Sequence, residues 1–259
     1  MGRVQLLTFF LSIVILLVTA NFSVNTDAHA LPYLQTDRIT IKLNTQSVTF
    51  VSHLITPSHR LVLRMPALSQ MPDLHNGCEV TSLTMLLNAL HITTTNTKLA
   101  ALIHKDPTPL QLGTNGQILR WGNPNVGFVG SVTGKALGYG VYHHPIAELL
   151  NKMDPGQALD LTGSSFEKVL SVVTTGRPVV VWTTLTFAPV RDWINWQSPE
   201  GTVHATLYEH AVLLVGFDKN HVFVNNPLTG EQAESVPLNS FEKSWVQMGR
   251  QAVTVLTLK

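Results

Sequence analysis

Gln70-Met71-Pro72-Asp73-Leu74-His75-Asn76-Gly77-Cys78-Glu79-Val80-Thr81-Ser82 runs from a polar loop into an apolar helix pattern, and the rest of the chain is read outward from it. Val80, Leu83, Leu87 and Leu90 recur at helical spacing, with Leu86 and Ala89 widening the apolar face. Asn76 followed three residues later by Glu79 has the form of a capping box, which sets Cys78 in the first turn. Only Thr81, Ser82, Thr84 and Asn88 interrupt the run, so the helix is expected to be buried on several sides. Cys78 is the only cysteine in 259 residues. The dipole and free N–H groups of a helix N-terminus favour thiolate, and can lower a cysteine pKa from about 8.5 to roughly 3.5–7.5. A lone cysteine is most often a small buried hydrophobe. Placement at a loop-to-helix junction makes Cys78 a candidate nucleophile instead.

The second informative stretch is Tyr208-Glu209-His210-Ala211-Val212-Leu213-Leu214-Val215-Gly216-Phe217-Asp218-Lys219-Asn220-His221-Val222-Phe223-Val224-Asn225-Asn226-Pro227. Two apolar, β-branched runs flank Asp-Lys-Asn, which predicts a hairpin. A turn centred at Asp218 sets Val212 opposite Val224 and His210 opposite Asn226. His210 and Asn226 then share a face, and Asn225 points to the other. Pro227 has no N–H to donate and ends the strand. A histidine beside an amide, with a distant cysteine at a helix start, supplies the parts of a Cys/His/Asn apparatus. His204 has no comparable partner, and His75 is too near Cys78 unless the loop folds back. His143 and His144 read as solvated loop residues.

Arg3 precedes a charge-free apolar run from Val4 to Ala20, and Ala28-His29-Ala30 has the small-x-small form of a cleavage site. Residues 1–30 are therefore expected to be a signal peptide, or an N-terminal membrane anchor if uncleaved, which places the protein outside the cytoplasm. Beyond them, 44% hydrophobic and 13% charged residues suffice for one globular core without staples. A net charge of +1, with no basic run and no cysteine pair, excludes the usual nucleic-acid and zinc-ribbon classes.

Residues 31–64 alternate in strand fashion at Ile39, Ile41 and Leu43 and again at Val48 and Phe50, and read as a β-rich lead-in that includes Leu61-Val62-Leu63. The catalytic domain is expected over residues 65–259. Further helices are predicted over 96–104, capped by Thr95, over 146–152 and over 165–174. Between Asp106 and Tyr142 glycines recur and regularity fails; a loop of that length inside a domain usually serves function. Val179 to Leu185 reads as a strand.

The Gln70-to-Ser82 segment with its NGCEVTS core, EHAVLLVGF, VNNPLTG and the intermediate Trp121-Gly122-Asn123-Pro124-Asn125-Val126-Gly127-Phe128-Val129-Gly130 together resemble the papain-like cysteine peptidases of the bacteriocin-leader-processing type, in their exported, transporter-less branch. The likeness covers Met65 to about Leu258. It implies an α+β fold in which a helical part carrying the nucleophile packs on an antiparallel sheet carrying histidine and asparagine. It further implies that Cys78 and His210 are catalytic, that Asn226 orients the imidazole, and that Gln70 lines the oxyanion hole. Asn226 stands where close relatives usually carry aspartate. Gln70 lies further from its cysteine than in the papain pattern, so the loop must fold back.

Gln70 suits the oxyanion role physically, since a neutral NH₂ and the Cys78 backbone N–H would provide two donors. Asn76 is the substitute donor. Trp193 and Trp196 fit either a cleft wall or simple packing. The expected reaction is thiolate attack on an amide of an extracellular or envelope peptide or protein, with no cofactor and no metal. The same residues could also pass the acyl group to an amine or open a cell-wall amide, and a non-catalytic envelope binding module is the third alternative.

Overall fold

A computed structural model describes residues 38–43, 46–51 and 60–258 and divides the chain into two units, Met1–Thr56 and Pro57–Lys259. The apolar run Val4 to Ala20 and the Ala28-His29-Ala30 pattern lie outside the described residues. In the smaller unit, β1 (Arg38–Leu43) and β2 (Gln46–Val51) form an antiparallel pair with Ile39 opposite Phe50 and Ile41 opposite Val48. No helix among the described residues is long and apolar enough to cross a membrane.

The larger unit is built on one antiparallel sheet. Its strands are β3 (Leu61–Val62), β9 (Ala158–Asp160), β10 (Val179–Thr184), β13 (Glu209–Phe217), β14 (His221–Asn226), β15 (Glu231–Pro237) and β16 (Ala252–Val255). They run in the order β15-β14-β13-β10-β16-β9, with β3 paired to β13. Leu61 and Val62, read from sequence with the lead-in, are thus hydrogen-bonded into the large sheet. Every residue of β10 and β13 is buried, which requires cover on both faces. Helix α1 (Cys78–Ala89) packs on the face bearing Ala211, Leu213 and Val215. Helices α4 (Phe166–Val173) and α5 (Leu238–Gln247) pack on the other through Phe166, Phe241 and Trp245. This is the α+β, papain-like arrangement, helix on antiparallel sheet, that the motifs imply.

Helix α2 (Asn96–Leu102) ends before His104 because Ile103 is extended, while Thr95 caps it by accepting from the Lys98 N–H at 3.1 Å. Helix α3 (His143–Met153) starts earlier than the pattern suggests. His143 and His144 are therefore helical rather than loop residues, and His143 Nδ1 meets Asp160 Oδ2 at 2.6 Å.

Residues 106–142 are also more regular than expected. They contribute β5 (Gln111–Leu112), β6 (Ile118–Arg120), β7 (Phe128–Gly130) and β8 (Gly138–Gly140). With β4 (Lys105–Asp106), β11 (Ile194–Ser198) and β12 (Gly201–Ala205) these form two small sheets, β4-β7-β8 and β12-β11-β6-β5. Strands of two or three residues carry too few positions for alternation to be visible in sequence. Trp121, Tyr139 and Trp196 pack together between them, and Trp196 donates its indole N–H to the Gly122 carbonyl, so Trp196 is a packing residue.

Candidate active site

The first ten residues of α1 are buried, Thr81, Ser82 and Thr84 included, as the apolar run predicts. The capping box does not form. Gly77 is the N-cap, Asn76 Nδ2 donates to the Ser131 carbonyl at 2.7 Å, and Glu79 Oε1 accepts from the Val141 N–H at 2.6 Å. Both side chains tie the glycine-rich segment to the start of the helix, a tertiary use that overrides the local one. Cys78 nevertheless occupies the first helical position. Its Sγ accepts from the Ala211 N–H at 3.4 Å, and Ser82 Oγ, one turn on, donates to the Ala211 carbonyl at 3.2 Å. Helix α1 is thereby pinned to β13 beside His210.

The β13–β14 hairpin turns more tightly than the sequence suggests. Phe217 pairs with Val222 and the Asp218 N–H donates to the His221 carbonyl, so Lys219-Asn220 is the two-residue loop. That register alone would put His210 and Asn226 on opposite faces. A bulge between Leu214 and Gly216 absorbs one residue, after which Leu214 faces Val224 and Leu213 faces Asn225. Continued by one step, the register sets Asn226 level with Val212, making His210 its diagonal neighbour on the same face. The direct His210–Asn226 and Val212–Val224 pairings expected from sequence are therefore displaced by two residues, which leaves the parity intact. Gly216 is required at the bulge, because a Cβ there would overlap the Leu61 carbonyl oxygen and come within 2.8 Å of Val62 Cα.

His210 Nε2 lies 2.9 Å from Asn226 Oδ1. The same oxygen accepts from the Leu228 N–H at 3.0 Å, while Asn226 Nδ2 donates to Glu234 Oε2 at 2.7 Å. With the amide orientation so assigned, Nε2 must carry the proton and Nδ1 is left as the proton acceptor. Asn225 turns away, donating to the Met65 carbonyl and accepting from the Ala233 N–H, both at 3.0 Å. No hydrogen bond joins Cys78 Sγ to the imidazole among the described residues; the thiol rests against the backbone of the next residue.

Gln70 is brought in by a folded-back loop. Its N–H donates to the Pro227 carbonyl at 2.8 Å, the Leu74 N–H donates to its carbonyl at 2.9 Å, and its Nε2 donates to the His75 carbonyl at 2.8 Å. The side chain is buried, and Oε1 has no hydrogen-bond partner. Asn76, the substitute donor, is engaged with Ser131. His75 Nδ1 meets the Thr133 carbonyl at 3.0 Å. His204 does have an amide partner, Asn195 Oδ1 at 2.7 Å, and its ring stacks on Trp193 at 4.6 Å. That pair lines a separate cavity of about 470 Å³ with Tyr142, His143 and Gln251.

Electrostatically, Cys78 and His210 are both held in their neutral forms. Burial raises the Cys78 thiol well above its ordinary value, and Glu79 and Glu209 raise it further, outweighing the Ala211 N–H. The lowering expected from the helix N-terminus is thus overcome by desolvation and two carboxyls. Burial lowers His210 to about 4 against the Asn226 hydrogen bond. Sequence reasoning passed over Glu209 and Glu234 and read Glu79 only as a cap. An acidic residue opening the apolar run of β13 was the available sign, since buried acids are rare without partners. Cys78 Sγ and one oxygen each from Glu79 and Glu209 lie within 4.8 Å of one another and could hold a metal ion.

Comparison with known proteins agrees with this architecture. Residues 62–253 match the Peptidase_C39 like family, and the chain belongs to that family of peptidases. It is 40% identical over 184 residues, 71% of its own length and 70% of the relative's, to the uncharacterised protein YvpB of Bacillus subtilis (strain 168). It also resembles the crystal structure of a candidate C39-like peptidase from Bacillus anthracis, with a TM-score of 0.70 at 40% identity, over 77% of this chain and 98% of that one.

Proposed function

We propose that this protein is an exported cysteine peptidase that hydrolyses peptide bonds through Cys78, His210 and Asn226. The observation that carries the reading is the ordered pair His210–Asn226 on β13–β14, with the Cys78 thiol held against the adjoining Ala211 N–H. The reaction requires Cys78 Sγ to leave the Ala211 N–H and reach His210 Nδ1. The thiol proton passes to Nδ1, sulfur attacks the carbonyl carbon, and the imidazolium returns the proton to the departing amine. Water, deprotonated by the same nitrogen, then releases the acyl group. Because Cys78 is raised and His210 lowered, the resting pair is thiol and imidazole, and charge separates only as the bond forms. Gln70 Nε2 and the Cys78 N–H are the oxyanion donors; Nε2 has a second hydrogen beyond the one given to His75. Export rests on the apolar run behind Arg3 and the Ala28-His29-Ala30 pattern, and Leu31 is the expected mature N-terminus.

The test is a cleavage profile over extracellular and envelope peptides and proteins, with the wild type beside Cys78→Ala and Cys78→Ser. New termini made by the wild type alone are expected. Amine-ligated products in their place would make the protein an acyl transferase, and identical profiles for all three would make it a binding module.

A further inference from the structure

Each residue of the proposed Cys/His pair has a glutamate beside it in sequence, Glu79 after Cys78 and Glu209 before His210, and the fold brings these two glutamates together. Strand alternation sends His210 to the face of Asn226 and Glu209 to the face covered by α1. Glu79 is fully buried and Glu209 nearly so. They converge over Gly140, whose φ of 136° suits glycine and where a Cβ would overlap Glu79 Oε1 and lie 3.1 Å from Glu209 Oε2. The Val141 N–H fixes Glu79 Oε1, while Glu79 Oε2 and Glu209 Oε1 have no hydrogen-bond partner among the described residues. Neither carboxyl makes an ion pair there. The other titratable groups nearby are Cys78 from α1, His210 from β13, Tyr139 from β8 and Tyr142 before α3, the two phenols being hydrogen-bonded to each other at 2.7 Å.

Two uncompensated carboxylates this close in a dry site cannot both ionise at little cost. We propose that Glu79 and Glu209 hold one proton between them at neutral pH and serve, given Cys78 as nucleophile, as positioning residues that set how readily its thiol ionises. The pair does not take the thiol proton, which goes to His210. It supplies one negative charge beside Sγ, and a second once the shared proton is lost, so each ionisation makes thiolate harder to form. Burial brings Glu79 up to about 7, and Glu209 is likewise raised by burial and by Glu79.

The experiment is the rate of Cys78 alkylation by iodoacetamide against pH, in EDTA, for wild type, Glu79→Gln and Glu209→Gln. Glutamine keeps the shape and an acceptor for Val141, and removes one ionisation. Each variant is expected to match the wild type up to about pH 7, where each carries one negative charge, and to alkylate about tenfold faster near pH 9, where the wild-type pair has lost its second proton, equivalent to a thiol midpoint lowered by about one unit. Superimposed or slower profiles overturn the proposal. So does zinc chloride, added without EDTA, shielding the wild-type thiol but neither variant, because a cation would then neutralise the pair. Infrared spectra of the wild type provide a measurement that needs no variant to fold: a protonated-carboxyl stretch should persist at pH 7, and its absence also overturns the proposal. Alkylation reads the thiol whether or not any peptide is cut. Shifted profiles without peptide cleavage would therefore sink the peptidase reading alone, and cleavage with unshifted profiles would sink the pair alone.

Discussion

The amide of Asn226 is held from behind by Glu234, whose Oε2 accepts from Nδ2 at 2.7 Å. That contact gives a physical reason for asparagine rather than aspartate at this position. An amide can face imidazole with its oxygen and a carboxylate with its nitrogen; aspartate would set two carboxylates against each other. A better acceptor on the His210 side would therefore be offset on the Glu234 side.

Asn226→Asp is accordingly expected to lower turnover by about tenfold or more, since misplacing the orienting group falls on the transition state. Adding Glu234→Gln should restore most of it, because glutamine can donate to the new carboxylate. A double-mutant cycle on kcat/KM reads the coupling. Additive losses would mean that Glu234 does not act through residue 226.

Asn225→Ala separates folding from chemistry. Asn225 is fully buried and holds the Met65 carbonyl and the Ala233 N–H, so truncation strands two backbone groups. A loss of about 1–3 kcal/mol in urea unfolding is expected for each group left unpaired. Turnover per folded molecule should be nearly unchanged. A collapse of kcat with stability intact would place Asn225, not Asn226, behind the histidine.

Part of the candidate site was legible in the sequence because it rests on short-range patterns. Leu83 and Leu87 mark the helix that mounts Cys78, and the parity of two apolar strands unites His210 with Asn226. The Leu214–Gly216 bulge and the Lys219-Asn220 turn were not legible. Their displacements offset to an even number, so the face was right although the register was not. Glu79, Glu209 and Glu234 were missed because their roles depend on partners far along the chain, at Val141, at each other and at Asn226. Local spacing assigned Glu79 a cap that tertiary packing removes.

Gly216→Ala probes the bulge directly. The added methyl would have to displace β3, since it meets the Leu61 carbonyl and Val62 Cα. Destabilisation of about 1–3 kcal/mol is expected from overpacking, with loss of amide-exchange protection at Leu63, whose N–H donates to the Val215 carbonyl at 2.7 Å. Unchanged protection at Leu63 would show that the strand yields without cost.

Stability should also depend on pH through the buried acids. With its folded pKa raised to about 7 from an ordinary 4.5, Glu79 keeps a proton that the unfolded chain has already lost, so its contribution is present at low pH and falls away as pH rises from 4.5 to 7. Glu209 acts in the same direction. His210 opposes them: held neutral down to about 4 against an ordinary 6.5, it costs stability as pH falls from 6.5 toward 4, where the unfolded chain takes up the proton first. The wild type should therefore lose stability between pH 5 and 7, where two raised acids outweigh one lowered histidine. Glu79→Gln removes one of the two acids and leaves the other with the histidine, so the change in its unfolding free energy from pH 5 to 7 should be more positive than that of the wild type, by about 2–3 kcal/mol. Urea titrations at the two pH values measure the difference, and parallel profiles would show that Glu79 is ionised in the folded protein.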